Sequence, residues 1–236
     1  MPRHQNSKKV IEVSEIRFAW RKDLGSVLKI EHLLIHRGER VFIEGPSGSG
    51  KSTLLSLLAG VVTPQQGMIS VNGFHLNALN GAGRDRFRAD HIGFIYQMFN
   101  LIPYLSVVEN VTLPCRFSSL RRNRASTQSG EVKTEAMRLL KHLGIDEKPL
   151  LSRPVTELSV GQQQRVAAAR ALIGSPDLII ADEPTSSLDA DRREAFIRLL
   201  FNECDRDETT IIFVSHDIGL ANVFDRTIRL SDINCP

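Results

Sequence analysis

Apolar and polar residues alternate through the early part of the chain, the pattern of strands that bury one face. Val10-Ile-Glu-Val13 and Ile16-Arg-Phe-Ala-Trp20 are predicted as strands, Ser26-Val-Leu-Lys-Ile30 alternates more weakly, and Arg40-Val-Phe-Ile-Glu44 is a short apolar run. A helix is expected from Ser52 to about Gly60, then a turn at Pro64-Gln-Gln-Gly67. Met68-Ile-Ser-Val71 reads as a strand closed by Asn72-Gly73, a dipeptide that favours hairpin turns. A short charged helix over 84–90 precedes the strand Ile92-Gly-Phe-Ile-Tyr96.

From about 97 to 165 the pattern becomes helical. Val107–Leu113 is predicted as a helix stopping at Pro114, and 116–130, rich in Arg, Ser and Asn, as a solvated loop. Apolar residues at 132, 136, 139, 140 and 143 mark an amphipathic helix ending at Gly144. Gly161–Ile173 is a further helix, ended by Gly174-Ser-Pro176. Two wholly apolar runs, Leu178–Ala181 and Thr209–Val214, flank a helix over about 190–204. Strands apolar on both faces and alternating with helices imply a buried, mostly parallel sheet, hence an α/β chain.

With 236 residues the chain suits one large domain, or one domain with a subdomain. A net charge of +3 is too small to argue for nucleic acid. Cys115, Cys204 and Cys235 lie far apart, which suggests neither a zinc site nor a disulfide framework and suits a reducing compartment. The polar, basic start lacks the apolar stretch of a signal peptide. No window approaches the roughly 18 uninterrupted apolar residues of a membrane span, so a membrane role would need another chain.

The chemistry concentrates first in Gly45-Pro46-Ser47-Gly48-Ser49-Gly50-Lys51-Ser52-Thr53, which fits G-x-x-x-x-G-K-[ST] without departure. It joins a predicted strand to a predicted helix, as a phosphate cradle requires. The glycines let successive N–H groups turn inward, the helix N-terminus adds partial positive charge, Lys51 can reach the β- and γ-phosphates and Ser52 can ligate Mg2+. A nucleoside triphosphate is the expected ligand.

Asp182-Glu183 closes the first of the two apolar runs. Asp182 is placed to hold Mg2+, and Glu183 to orient or deprotonate the attacking water. Leu158-Ser-Val-Gly-Gln-Gln-Gln-Arg165, just before a helix, is a second anion-binding design, with a Ser hydroxyl, a Gly and exposed N–H groups. One nucleotide does not need both termini from one chain, so this one is expected to face the nucleotide of a second copy.

In this order the motifs resemble the ATPase subunits of ATP-binding cassette (ABC) transporters, over nearly the whole chain. Gly45–Thr53 is similar to Walker A, Gln97 to the Q-loop, Leu158–Gln162 to the signature, and Leu178–Glu183 to Walker B with the catalytic glutamate. Ser187-Leu188-Asp189 is similar to the D-loop and His216 to the H-loop. The resemblance implies a P-loop NTPase core with an N-terminal antiparallel β subdomain and an inserted helical subdomain. Within a single domain, 1–236, it places the core at 1–96 and 166–236 and the helical part, with the signature, at 97–165.

It also implies roles. Glu183, His216 and Lys51 would be catalytic; Ser52, Gln97 and Asp182 would hold Mg2+. Ser159, Gly161 and Gln162 would touch ATP across a head-to-tail homodimer. Trp20 stands where the family keeps an aromatic for adenine stacking; a core tryptophan is the other reading. Val160 replaces the commoner signature glycine: it is harmless if glycine serves only helix entry, and slows turnover if a backbone N–H must approach phosphate.

The stretch from Tyr96 to Val111 looks like the lipoprotein-release and macrolide-exporter type. That resemblance implies ATP hydrolysis driving a separate membrane permease, with export or extraction of lipoproteins or small molecules. The subunit would lie on the cytoplasmic face, its permease docked near Gln97–Leu105 through Phe99, Leu101, Ile102 and Tyr104. The alternatives are a non-transport ABC ATPase acting on DNA or ribosomes, and the ATPase of a division or signalling complex.

Overall fold

A computed structural model of the chain describes residues 8–21, 23, 25–186 and 188–235. In chain order its elements begin with β1 (Lys9–Phe18), β2 (Leu28–His36), β3 (Arg40–Glu44), α1 (Lys51–Leu58), β4 (Gln66–Val71), β5 (Phe74–His75), α2 (Gly81–His91) and β6 (Ile92–Ile95). Next come α3 (Val107–Thr112), α4 (Pro114–Phe117), α5 (Ser119–Ser129), α6 (Val132–His142), α7 (Lys148–Leu151) and α8 (Val160–Leu172). The chain closes with β7 (Leu178–Asp182), α9 (Ala190–Arg206), β8 (Thr210–Val214), β9 (Arg226–Arg229) and α10 (Leu230–Ile233). The described residues form two compact units, those up to Arg88 with those from Thr210 onward, and those between Ala89 and Thr209.

The first unit contains an antiparallel sheet in the order β2-β1-β4-β5. Ile16 faces Ile30, and Val13 faces Ile69. The two strands expected at 10–13 and 16–20 are one strand, and the apparent break between them is a bulge at Glu15, where φ is 51° and the register with β4 shifts. Gly67 lies against that bulge, where a Cβ would come 2.4 Å from the Glu15 carbonyl oxygen. β2 runs further than expected because exposed Glu31 and His32 interrupt an alternation that resumes with buried Leu33 and Ile35.

In the same unit β3 pairs in parallel with both β8 and β9. Val41, Phe42 and Ile43 are fully buried, as expected of a central parallel strand. The Phe42, Phe213 and Phe224 rings pack together at centroid separations of 5.2–6.3 Å. This apolar strand fixes the loop that leads into α1.

In the second unit β6 and β7 run parallel, with Ile92 opposite Leu178. α8 packs on β6 so closely that a Cβ on Gly93 would stand 2.3 Å from the Ala171 carbonyl oxygen. The 116–130 segment is not a solvated loop: it forms the end of α4 and all of α5. Arg121 is 2% exposed, and its guanidinium donates to the carbonyls of Ile173 (2.7 Å), Ala171 (2.6 Å) and Ile92 (3.3 Å). Arg124 donates to the Ser175 carbonyl at 2.7 Å. The arginines that suggested solvent therefore satisfy carbonyls at and just beyond the C-terminus of α8, which a helix cannot satisfy by itself. Burial pulls Arg121 down to about 10, still high enough to leave it charged at neutral pH.

Candidate functional site

The loop after β3 has the conformation a phosphate cradle requires. Gly48 and Gly50 have φ of 78° and 102°, in the left-handed region that side chains avoid. Gly45 lies close to Ser49, where an added Cβ would stand 2.8 Å from Ser49 Oγ and turn that hydroxyl aside. Lys51 is buried, and its ammonium donates to the carbonyls of Gly45 (2.6 Å) and Pro46 (2.9 Å), folding it back along the loop. Ser49 Oγ is buried and has no hydrogen-bond partner among the described residues. An orphaned hydroxyl beside a lysine and the first N–H groups of α1 fits an anionic oxygen ligand. Pro46, Ser47, Gly48 and Ser52 are exposed, and Thr53 is buried.

Trp20 lies just past β1 and is 57% exposed, so it is not a core residue. Its indole N–H donates to Thr53 Oγ1 at 3.3 Å, which fixes the ring beside the phosphate loop. Phe18 meets it edge-on at 5.1 Å. Gln65 steadies the approach by exchanging two hydrogen bonds with the Ala19 backbone, at 2.7 and 3.0 Å. Forty-six positions separate these partners, and no local pattern in the sequence announces the contact. His216 is exposed and follows Ser215 at the exit of β8; Asp217 caps the short helical turn beyond.

In the second unit Asp182 ends β7 and Glu183 follows with φ 45°, a left-handed conformation unusual for glutamate and typical of functional strand exits. Leu188 N–H donates to the Thr185 carbonyl (3.1 Å) and Asp189 caps α9; Ser187 lies outside the described residues. Gln97 is exposed in the turn after β6. Phe99 and Asn100 have φ of 59° and 49°, and Arg170 of α8 donates to their carbonyls at 2.5 and 2.6 Å. Arg170 was not legible as a site-shaping residue, because it sits in an ordinary helical repeat.

Ser159 is the N-cap of α8 and forms a reciprocal capping box with Gln162. Ser159 Oγ accepts from Gln162 N–H at 3.3 Å, and Gln162 Oε1 accepts from Ser159 N–H at 2.9 Å. Val160 is the first helical residue, is 52% exposed and has no positive φ, so it enters the helix without strain. Gly161 likewise has no positive φ, and a Cβ there would meet only Leu188, at 3.9 Å.

Ser52, Gln97 and Asp182 offer hydroxyl, amide and carboxylate oxygens, the hard donors that suit Mg2+. Among the described residues no group of three His, Cys, Asp or Glu forms a metal cluster.

A parallel-stranded unit with a glycine-rich loop between a buried strand and a helix is a P-loop nucleotide-binding fold. The "ABC transporter" family model matches residues 28–186, and the chain belongs to that family. It is 40% identical over 215 residues to the "Lipoprotein-releasing system ATP-binding protein LolD" of Bacteroides fragilis, covering 90% of this chain and 95% of the relative. It is 42% identical over 205 residues to an uncharacterised ABC transporter ATP-binding protein, YbbA, of Escherichia coli, covering 87% and 86%. A solved dimeric structure of the cassette MJ0796, in a post-hydrolysis state bound to ADP and Pi, superposes with a TM-score of 0.76 at 34% identity, covering 93% of each chain. The chain is therefore an ATP-binding, ATP-hydrolysing subunit of the transporter class, and the DNA- or ribosome-directed alternative is set aside.

Proposed function

We propose that two copies of this chain close around two Mg-ATP molecules and drive a separate membrane permease of the lipoprotein-release type. The observation that carries this reading is the phosphate loop, with Lys51 folded along it and the Ser49 hydroxyl lacking a partner. Support for the dimer comes from the MJ0796 relatives, solved as dimers, and from the second anion-type terminus at Ser159.

The roles follow from donor chemistry. The N–H groups of Gly48–Thr53 and the Lys51 ammonium hold the β- and γ-phosphates, and Trp20 stacks on the base. Ser159, Gly161 and Gln162 complete the γ-phosphate site from the opposing copy. Glu183 accepts a proton from the attacking water, and His216 holds that water against the γ-phosphate. Ser52, Gln97 and Asp182 hold Mg2+, which when bound neutralises phosphate charge. Loss of the γ-phosphate removes what bridges the copies and lets them separate. In this reading Gln97, exposed in the turn after β6, relays the nucleotide state to the partner.

The permease docks on the cytoplasmic face through exposed Met98 and Tyr104, which are 80% and 82% exposed. Phe99, expected in that patch, is 8% exposed and packs inward, while Leu101 and Ile102 are half-buried. No described helix is long and apolar enough to cross a membrane. The test is the size of Glu183→Gln with and without Mg-ATP: a dimer only with Mg-ATP is expected. A variant that stays monomeric, or that hydrolyses ATP at the parent's rate, overturns the assignment.

A further inference from the structure

Gln164 is fully buried in the middle of α8, yet neither its amide oxygen nor its amide nitrogen has a hydrogen-bond partner among the described residues. Two such groups in one buried side chain are costly, because each gave up bonds to water. An apolar residue of similar length would fill the space without that cost. The amide therefore calls for a use in another state of the protein.

The position of Gln164 indicates where the use lies. α8 returns to β7 through the short connection 173–177, and β7 pairs in parallel with β6, so α8 runs antiparallel to both strands. Gln164 shares a helix face with Ala167, Ala168 and Ala171. Ala171 is the residue whose carbonyl oxygen closes on Gly93 of β6. Seven residues back along the helix is about 10.5 Å, the length of about three strand residues. That places Gln164 level with Tyr96 and Gln97, at the strand exit that carries the Q-loop. Just beyond, Phe99 and Asn100 are held in left-handed conformations, and Arg170 of the same helix already bonds their carbonyls.

We propose that Gln164 is a positioning residue for Gln97: when the protein closes on Mg-ATP, its amide bonds the backbone of the β6 exit. In the nucleotide-free form the unpaired amide disfavours the resting arrangement; in the closed form it holds Gln97 in place. This rests on the reading above, in which Gln97 meets the Mg2+ of a bound nucleotide.

The test places Gln164→Met in the Glu183→Gln chain and measures nucleotide affinity and thermal stability, with ATP in Mg2+ and with ATP in EDTA. Methionine keeps the length and removes both polar atoms. The expected result is about tenfold weaker affinity for Mg-ATP. Affinity for ATP in EDTA should change less than threefold, and the nucleotide-free melting temperature should be unchanged or higher. Equal effects in all three states mean that Gln164 is only a packing residue and overturn the proposal. If Glu183→Gln alone gains no stability from Mg-ATP, the functional reading fails first, which separates the two outcomes. Should the methionine variant not fold, hydrogen exchange at the 96–99 amides is compared in Glu183→Gln and Glu183→Gln/Gln164→Leu. Protection by Mg-ATP in the first and not in the second supports the proposal, and equal protection overturns it.

Discussion

Trp20 is the single tryptophan of the chain, and its indole N–H rests on Thr53 at the end of the phosphate loop. Its emission should therefore report nucleotide binding directly. Trp20→Phe keeps a flat ring and should bind ATP within about threefold of the parent, whereas Trp20→Ala should lose about tenfold. Equal losses for both would mean that the contact with Thr53, rather than base stacking, is what matters. The conformation of the loop was legible, because Gly48 and Gly50 take the left-handed φ that glycine permits. Trp20 was legible only by position, since a lone tryptophan at the end of an alternating strand looks equally like core. The Glu183 conformation, with φ of 45°, had no signal at all: a left-handed glutamate is decided by what surrounds it.

At the scale of elements, the second unit depends on polar side chains that tie helix ends to one another. Arg121 spans the C-terminal region of α8 and the start of β6, and Arg121→Met would leave several carbonyls without their donor. A loss of about 3 kcal/mol or more is expected, read as a fall in the urea midpoint with unchanged slope. The α6–α9 contact is ionic: Arg138 donates to Glu203 at 2.9 Å, and His142 lies 2.7 Å from the same carboxylate. Burial alone would raise the Glu203 pKa, but Arg138 and His142 outweigh it and hold it below the ordinary value of 4.5. Folded Glu203 therefore binds fewer protons than unfolded Glu203 at mildly acid pH. Its stabilisation is complete above the ordinary value and fades as pH falls through the lowered one. The stability gap between the parent and Glu203→Gln should narrow between pH 7 and pH 3.5, and a constant gap would contradict the ionic account. These ties also explain where pattern reading stopped. Apolar periodicity located α6, α8 and β7, but the arginines of α5 look like solvent-facing charges until their carbonyl partners, some fifty residues away, come into view.

For the whole molecule, the order of motifs along the chain made the class legible before any coordinates, because each marks a strand exit or helix start in a parallel sheet. The short elements β9 and α10 were not foreseen: at four residues each, they carry too little periodicity. Which residues of the proposed permease-docking tract are exposed was legible only in part. The tract after Gln97 is apolar apart from Asn100, and sequence cannot tell which side chains turn inward; in the fold the Phe99 ring, on a left-handed backbone, is buried while Met98 and Tyr104 stay outside. Two large apolar side chains so exposed, close together in sequence, are the kind of anchors a partner protein covers. Met98→Glu with Tyr104→Glu should then leave Mg-ATP-dependent dimerisation of the Glu183→Gln chain intact, because neither residue belongs to the nucleotide set. The same pair of changes should abolish co-purification with the permease from detergent-solubilised membranes. Retained co-purification would move the docking surface elsewhere on the helical segment, and a simultaneous loss of dimerisation would show that the tract after Gln97 serves the nucleotide site as well as the partner.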